Sequence, residues 1–192
     1  MKILVPLADG FEEIEMIVPV DIWRRADLEV ITAALSSDEK FVRAARETGH
    51  VADEFLKDCI DEPFDLIFIP GGKRGAEHLF TYQPLLDRLK KQADAGLWLA
   101  AICAGPLVLA HAGLLTGKRF TAHPSAEESL ARFHLTPVNE RLVVDGKLIT
   151  AKAAGCAFDL AFKVVELFCE KERAEVINSS IFYRPAEMCS SP

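Results

Sequence analysis

A chain of 192 residues that is half hydrophobic and about a quarter charged has apolar surface enough for one good core, so a single globular domain is expected. Its formal net charge of -7, with no Lys/Arg run longer than a pair, repels phosphate backbones and anionic lipid, which argues against nucleic acid and membranes as partners. The five cysteines (Cys59, Cys103, Cys156, Cys169 and Cys189) are odd in number and scattered, with no C-x-x-C or Cys/His ligand spacing, so neither a disulfide framework nor a metal site is expected.

The first apolar run, Lys2–Leu7, reads as a buried strand; Asp9 and the glutamates after it interrupt it too soon for a signal-peptide core, so a cytoplasmic location is expected. A helix follows over 11–26, and because its apolar period continues through Val20, Ile22 and Trp23, Pro19 should kink it rather than end it. A strand at 28–33 precedes 36–51, which has the look of a hairpin or an extended arm. Next come a strand at 65–69, a helix at 83–95, a strand at 97–102 and a helix at 105–112. The apolar stretch 97–115 has the length of a membrane span, yet Gly105-Pro106 at its middle and His111 further on fit a strand and a short buried helix better. A strand at 118–122, a helix at 125–132, a strand at 147–151 and a helix at 157–171 complete the pattern, with Leu160, Val164, Leu167 and Phe168 of the last facing the core. Residues 184–192, with two prolines and two serines, read as a loose tail behind a domain of 1–183. This alternation predicts an α/β fold, a mostly parallel sheet with helices on both faces.

Ligands of such sheets bind at the carboxyl ends of the strands, where the winding reverses. Three strand ends carry unusual chemistry: Leu7-Ala8-Asp9-Gly10 leading into Glu12, Glu13 and Glu15; Ile69-Pro70-Gly71-Gly72; and Ile102-Cys103-Ala104-Gly105-Pro106. A cysteine in a sharp strand-to-helix turn projects above the sheet, and the small Ala101, Ala104 and Gly105 permit close approach. The positive helix end would lower its pKa. Core filler is an equal reading of Cys103, since buried cysteine is common. Gly71-Gly72 is either a plain turn or a source of a backbone N–H, from Gly72, that joins the Ala104 N–H in an oxyanion hole. Glu12, Glu13 and Glu15 read first as solvated complements of the helix dipole. A carboxylate turned inward beside a thiolate would instead keep its proton, because two adjacent anions cannot both ionise cheaply. His123, in Thr121-Ala122-His123-Pro124, could orient or relay a proton to the thiol, or serve structure alone. His50, His78, His111 and His134 read as surface or packing residues.

Taken together, Asp9-Gly-Phe-Glu-Glu-Ile-Glu15, Val18-Pro-Val-Asp21-Ile-Trp-Arg-Arg25, Pro70-Gly-Gly72, Ala101-Ile-Cys-Ala-Gly-Pro106 and Thr121-Ala-His123-Pro124 strongly resemble the ThiJ/PfpI family. The branch they resemble most is that of the Parkinsonism-associated protein deglycase and its bacterial relatives, from the first residue to about Lys171. The resemblance implies a flavodoxin-like three-layer sandwich, usually a homodimer. Cys103 matches the reactive cysteine, Glu15 its protonated hydrogen-bond partner and His123 the nearby histidine; Gly72 and Ala104 match the oxyanion donors. Arg25 and Arg46 match basic residues that form a small anion pocket near the dimer interface. An apolar face on the first helix, Met16, Ile17 and Val20, is the expected dimer contact. Two departures stand out. Ala104 occupies the place of the histidine that protease-like members carry after the cysteine, which argues against a peptidase. Ala153-Ala154-Gly155-Cys156 replaces the Gly-Pro-Gly-Thr stretch of deglycase-like members, so pocket shape and dimer contacts are open to change.

The leading expectation is cofactor-free thiol chemistry on a small reactive dicarbonyl, an α-oxoaldehyde, or on glycated amines and thiols, of the glutathione-independent glyoxalase or protein deglycase type. The alternative is an oxidative-stress sensor or chaperone in which the same cysteine oxidises. A glutamine amidotransferase would need a downstream His-x-Glu pair, which the sequence lacks.

Overall fold

The computed structural model describes residues 1–183. Its strands and helices alternate: β1 (Lys2–Leu7), α1 (Glu13–Arg25), β2 (Glu29–Ala34), β3 (Phe41–Arg43), β4 (Gly49–Val51), β5 (Glu54–Phe55), α2 (Leu56–Cys59), β6 (Leu66–Ile69), α3 (Lys73–Thr81), α4 (Gln83–Asp94), β7 (Trp98–Ile102), α5 (Pro106–His111), α6 (Glu127–Ala131), β8 (Leu142–Asp145), β9 (Leu148–Ala151), α7 (Ala157–Phe168) and α8 (Lys171–Ile181). Seven strands form one sheet in the order β5-β2-β1-β6-β7-β9-β8. All its pairings are parallel except β8 with β9. Winding runs outward in both directions from β1 and β6, so the carboxyl ends near that pair face the crevice expected to hold a ligand.

The central strands are continuous apolar runs because both of their faces are covered. Ile3, Val5 and Leu7 of β1 join Leu66 and Phe68 of β6 in a core beneath α1 and α7, whereas Leu4, Ile67 and Ile69 point into a second core beneath α3, α4 and α5. The period of two along each strand makes this division. Trp23 locks the first core: it is fully buried, its ring meets Phe68 edge-on at 5.2 Å, and its Nε1–H donates to the Ala161 carbonyl at 3.0 Å. That bond ties α1 to α7. Helix α1 passes through Pro19 without a break.

The structure corrects several expectations. Segment 118–122 is not a strand; Thr121 N–H donates to the Thr150 hydroxyl at 3.0 Å and Phe120 carbonyl accepts from Val138, so a side chain and a loop replace a ladder. The open segment 36–51 is a hairpin of β3 and β4. The last expected helix ends at Phe168 where Cys169 turns extended, and α8 begins two residues later. Leu167 consequently stands exposed rather than in the core. Met16 and Val20 are buried inside this chain, leaving Ile14 and Ile17 as the large apolar side chains on the open face of α1. The expected tail, 184–192, lies outside the described residues. Among the described residues no helix is long and apolar enough to cross a membrane.

Candidate functional site

Strand β7 ends at Ile102, α5 begins at Pro106, and Cys103 between them adopts φ +62°, a left-handed conformation that costs about 1–3 kcal/mol for a residue with a Cβ. Neighbours hold it there. Its N–H donates to Ala151 at 2.9 Å, its carbonyl accepts from His123 N–H at 3.0 Å, and Gly105 N–H closes the turn onto Ile102 at 2.7 Å. This strand–turn–helix geometry is what a nucleophile elbow requires.

Gly71 and Glu15 meet the cysteine from two other elements. A Cβ on Gly71 would fall 2.1 Å from Glu15 Oε2 and 2.7 Å from Cys103 Cβ, so only glycine lets the three approach. Glu15 is 1% exposed, on the first turn of α1 but turned into the protein. Burial, above all, pushes its carboxyl up to about 7, the Glu12 charge adds to that push, and contact with the Cys103 thiol and the Gly71 amide opposes it. Oε2 is buried with no hydrogen-bond partner, a setting that favours the neutral acid.

Burial also pushes the Cys103 thiol up, the charge and contact of Glu15 push it further, and the amides of Gly72 and Ala104 pull it down. The expectation that the positive helix end would lower the thiol pKa is therefore corrected: the Ala104 amide at that end does pull it down, but burial and Glu15 outweigh it. The contributions of Glu15 exist only while it is ionised, so the two groups titrate as a pair. One proton leaves near 7 and the other is held far higher. Between those limits the site carries one negative charge and one proton, and the backbone amides of Gly72 and Ala104 favour a charge on the sulfur.

The other expected residues divide. His123 is beside Cys103 through its backbone, but its ring Nδ1 accepts from Ser125 N–H at 3.1 Å and lies 2.8 Å from Ser125 Oγ, which puts the proton of the neutral ring on Nε2. Arg25 ends α1 and pairs with Asp21 at 2.8 Å, whereas Arg46 lies in the β3–β4 turn, its N–H donating to Glu13 at the start of the same helix. The length of α1, about 18 Å, separates them within one chain. Glu13 overturns the reading of a solvated glutamate: it is buried, and its Oε1 accepts from Arg46 N–H at 2.6 Å and Thr48 Oγ at 3.1 Å, fastening the hairpin to α1. Sequence reasoning also missed Glu12, whose carboxylate accepts from Glu15 N–H at 2.9 Å. Its place just before the first helical residue was the available signal, weakened because Ser, Thr, Asp and Asn are the usual caps.

Residues 1–167 match the DJ-1/PfpI family. The chain is 39% identical over 174 residues to protein DJ-1 homolog A of Arabidopsis thaliana, a match that covers 90% of this chain but only 44% of that protein. It is 36% identical over 164 residues to the glutathione-independent glyoxalase DJR-1.2 of Caenorhabditis elegans, covering 85% of this chain and 86% of the relative. Its fold superposes on the oxidized DJ-1 of Toxoplasma gondii with a TM-score of 0.87 at 34% identity, over 96% of this chain and 99% of the other. With the parallel sheet, the strained cysteine and the inward glutamate already in place, these matches identify the chain as a member of the DJ-1/PfpI family.

Proposed function

We propose that the chain is a cysteine-dependent, cofactor-free enzyme acting on α-oxoaldehydes or on their adducts with amines and thiols. The observation that carries this reading is the buried Glu15 carboxyl against Cys103, where the Gly72 and Ala104 amides favour a charge on the sulfur. With a glyoxalase among the relatives, a reactive carbonyl compound is the substrate class the site suits.

With the proton on Glu15 and the charge on sulfur, the thiolate adds to the aldehyde carbon, forming a C–S bond while the carbonyl electrons move to oxygen. The Gly72 and Ala104 N–H groups stabilise that oxyanion, which then takes the proton of Glu15 to give a hemithioacetal. The Glu15 carboxylate next removes the hydrogen of the former aldehyde carbon and returns it to the neighbouring carbon as the electron pair shifts through an enediol, while the proton of the new hydroxyl passes to the former ketone oxygen. The aldehyde carbon is oxidised to a thioester and the ketone carbon reduced to an alcohol, so no external oxidant or reductant enters. Water hydrolyses the thioester, releasing a 2-hydroxy acid and the Cys103 thiol. His123 closes the site near the Cys103 carbonyl, and its Nε2–H is the group available for substrate oxygen.

Turnover of methylglyoxal by the purified protein without glutathione, compared with Cys103→Ser and Glu15→Gln, tests the reading. Loss of turnover in both variants is expected; turnover surviving in Cys103→Ser refutes it. The second reading, an oxidative-stress sensor or chaperone, is supported by the same two amides and neutral acid, which suit a cysteine sulfinate equally, and by an oxidized relative of the same fold. Peroxide pretreatment separates the two, because it abolishes turnover and creates the sensing state. A cytoplasmic homodimer joined across Ile14 and Ile17 of α1 completes the proposal.

A further inference from the structure

Glu12 takes no part in the reaction drawn above, yet it is bonded to both halves of the site. Its backbone N–H donates to the Gly71 carbonyl at 3.0 Å, and its Oε2 accepts from Glu15 N–H at 2.9 Å. The peptide joining Gly71 to Gly72 is planar, so its carbonyl and N–H point in opposite directions. Holding that carbonyl on Glu12 therefore aims the Gly72 N–H, one of the two that act on the Cys103 sulfur. A peptide between two glycines flips easily when unanchored, and a flipped one would turn a carbonyl dipole toward the anion. The anchor has no slack: Gly72 has φ +88°, and a Cβ there would sit 2.2 Å from the Gly10 carbonyl oxygen and 2.6 Å from Glu12 N.

Capping alone does not call for glutamate at this position, since shorter side chains cap better. The groups that face the Glu15 carboxyl are the Cys103 thiol from the β7–α5 turn, the Gly71 amide from the β6–α3 turn and the Glu12 carboxylate from its own element. Glu12 thus contributes a fixed backbone and a negative charge at the same place.

We propose that Glu12 is a positioning residue of the site, holding the Gly71–Gly72 peptide in the orientation that serves Cys103 and seating the first turn of α1 that carries Glu15. This rests on Cys103 being the reacting thiol, not on which substrate it takes. The test is the rate of Cys103 alkylation by iodoacetamide between pH 5 and 10, located by peptide mapping, in the wild type, Glu12→Gln and Glu12→Ala, with thermal unfolding measured alongside. Gln keeps an acceptor and loses the charge; Ala loses both.

Glu12→Ala is expected to lower the plateau rate about 5-fold, the factor that loss of a cap worth ~1 kcal/mol gives if it is spent on misaligned amides. Glu12→Gln should return to within about 2-fold of the wild-type plateau, with its midpoint moved to lower pH because a like charge facing Glu15 is gone. An alanine variant that unfolds at lower temperature but keeps the wild-type plateau and midpoint overturns the proposal, as does a glutamine variant as slow as alanine. Should Glu12→Ala not fold, a Glu12→Gln plateau more than about 2-fold below the wild type overturns it alone, because glutamine keeps the acceptor that the positioning needs. If methylglyoxal is not turned over while this alkylation pattern holds, the enzymatic reading fails and the role of Glu12 stands.

Discussion

Glu15→Gln measures the cost of the buried carboxyl directly. In the folded chain its ionisation is displaced from an ordinary 4.5 to about 7, chiefly by burial. A group whose folded pKa lies above its unfolded value stabilises the fold fully below the unfolded pKa and loses that contribution as pH rises through the folded one. The displacement corresponds to about 3 kcal/mol between the neutral and charged forms. Glutamine fills nearly the same space and never ionises. The wild type should therefore lose about 3 kcal/mol relative to Glu15→Gln between pH 4.5 and 8, with most of the change from pH 5 to 7. Urea denaturation of both proteins at half-unit pH intervals reads this as a difference of differences, in which the titrations common to both cancel. A stability gap constant within 0.5 kcal/mol over that range would mean Glu15 ionises as freely folded as unfolded, and the neutral acid behind the proposed chemistry would go with it.

Three further outcomes are expected. Iodoacetamide at pH 8 should label Cys103, which is half-buried at the strand end and shares its proton with Glu15, well before Cys59, which is 2% exposed; equal labelling in peptide maps contradicts the elbow reading. Replacing both Ile14 and Ile17, each 50% exposed, by lysine should convert a dimer to monomer in light scattering without unfolding it, and a wild type that already scatters as a monomer refutes that interface. Trp23→Phe should cost about 1–3 kcal/mol in urea titrations, because the Ala161 carbonyl loses a buried donor and ring volume is lost, whereas a change under 0.3 kcal/mol would show that the α1–α7 bond carries no weight.

The strands that were legible in the sequence are those buried on both faces, because unbroken apolar runs such as Leu66–Ile69 have no other soluble explanation. Edge strand β8 was not, since only Val143 of its four residues is buried and the run shows no period. Segment 118–122 misled for the opposite reason. Phe120 and Ala122 are buried like strand residues, yet the partner of Thr121 N–H is the Thr150 hydroxyl, and no pattern announces a side chain standing in for a strand. Helix α3 was hidden behind Lys73-Arg74-Gly75, a start that reads as loop although the helix runs on to Thr81. At the site, the strand-to-helix turn makes Cys103 and Gly71-Gly72 candidates, whereas the role of Glu15 comes only from the family resemblance, since a glutamate at a helix start reads first as solvated.

That Glu15 is the protonated one comes from the resemblance alone, and the physical reason lies partly in contacts far along the chain. Glu13 and Glu15 are two residues apart on one helix and share the same apparent role, yet against its own burial the Glu13 carboxyl is held below the ordinary range by its own backbone N–H and then by donors from Arg46 and Thr48. Glu15 receives a thiol and one amide, too little to offset burial, and its carboxyl rises instead. The N–H of Glu13 itself, joined by donors from a hairpin more than thirty positions away, thus keeps Glu13 charged, while Glu15 keeps a proton beside Cys103. It follows that removing one of those donors, the Thr48 hydroxyl, should move Glu13 toward the neutral form without altering the titration of the Glu15–Cys103 pair. Thr48→Val tests this: a shift in the Cys103 alkylation midpoint would show that the two glutamates are coupled and that the hairpin helps to set the charge of the site.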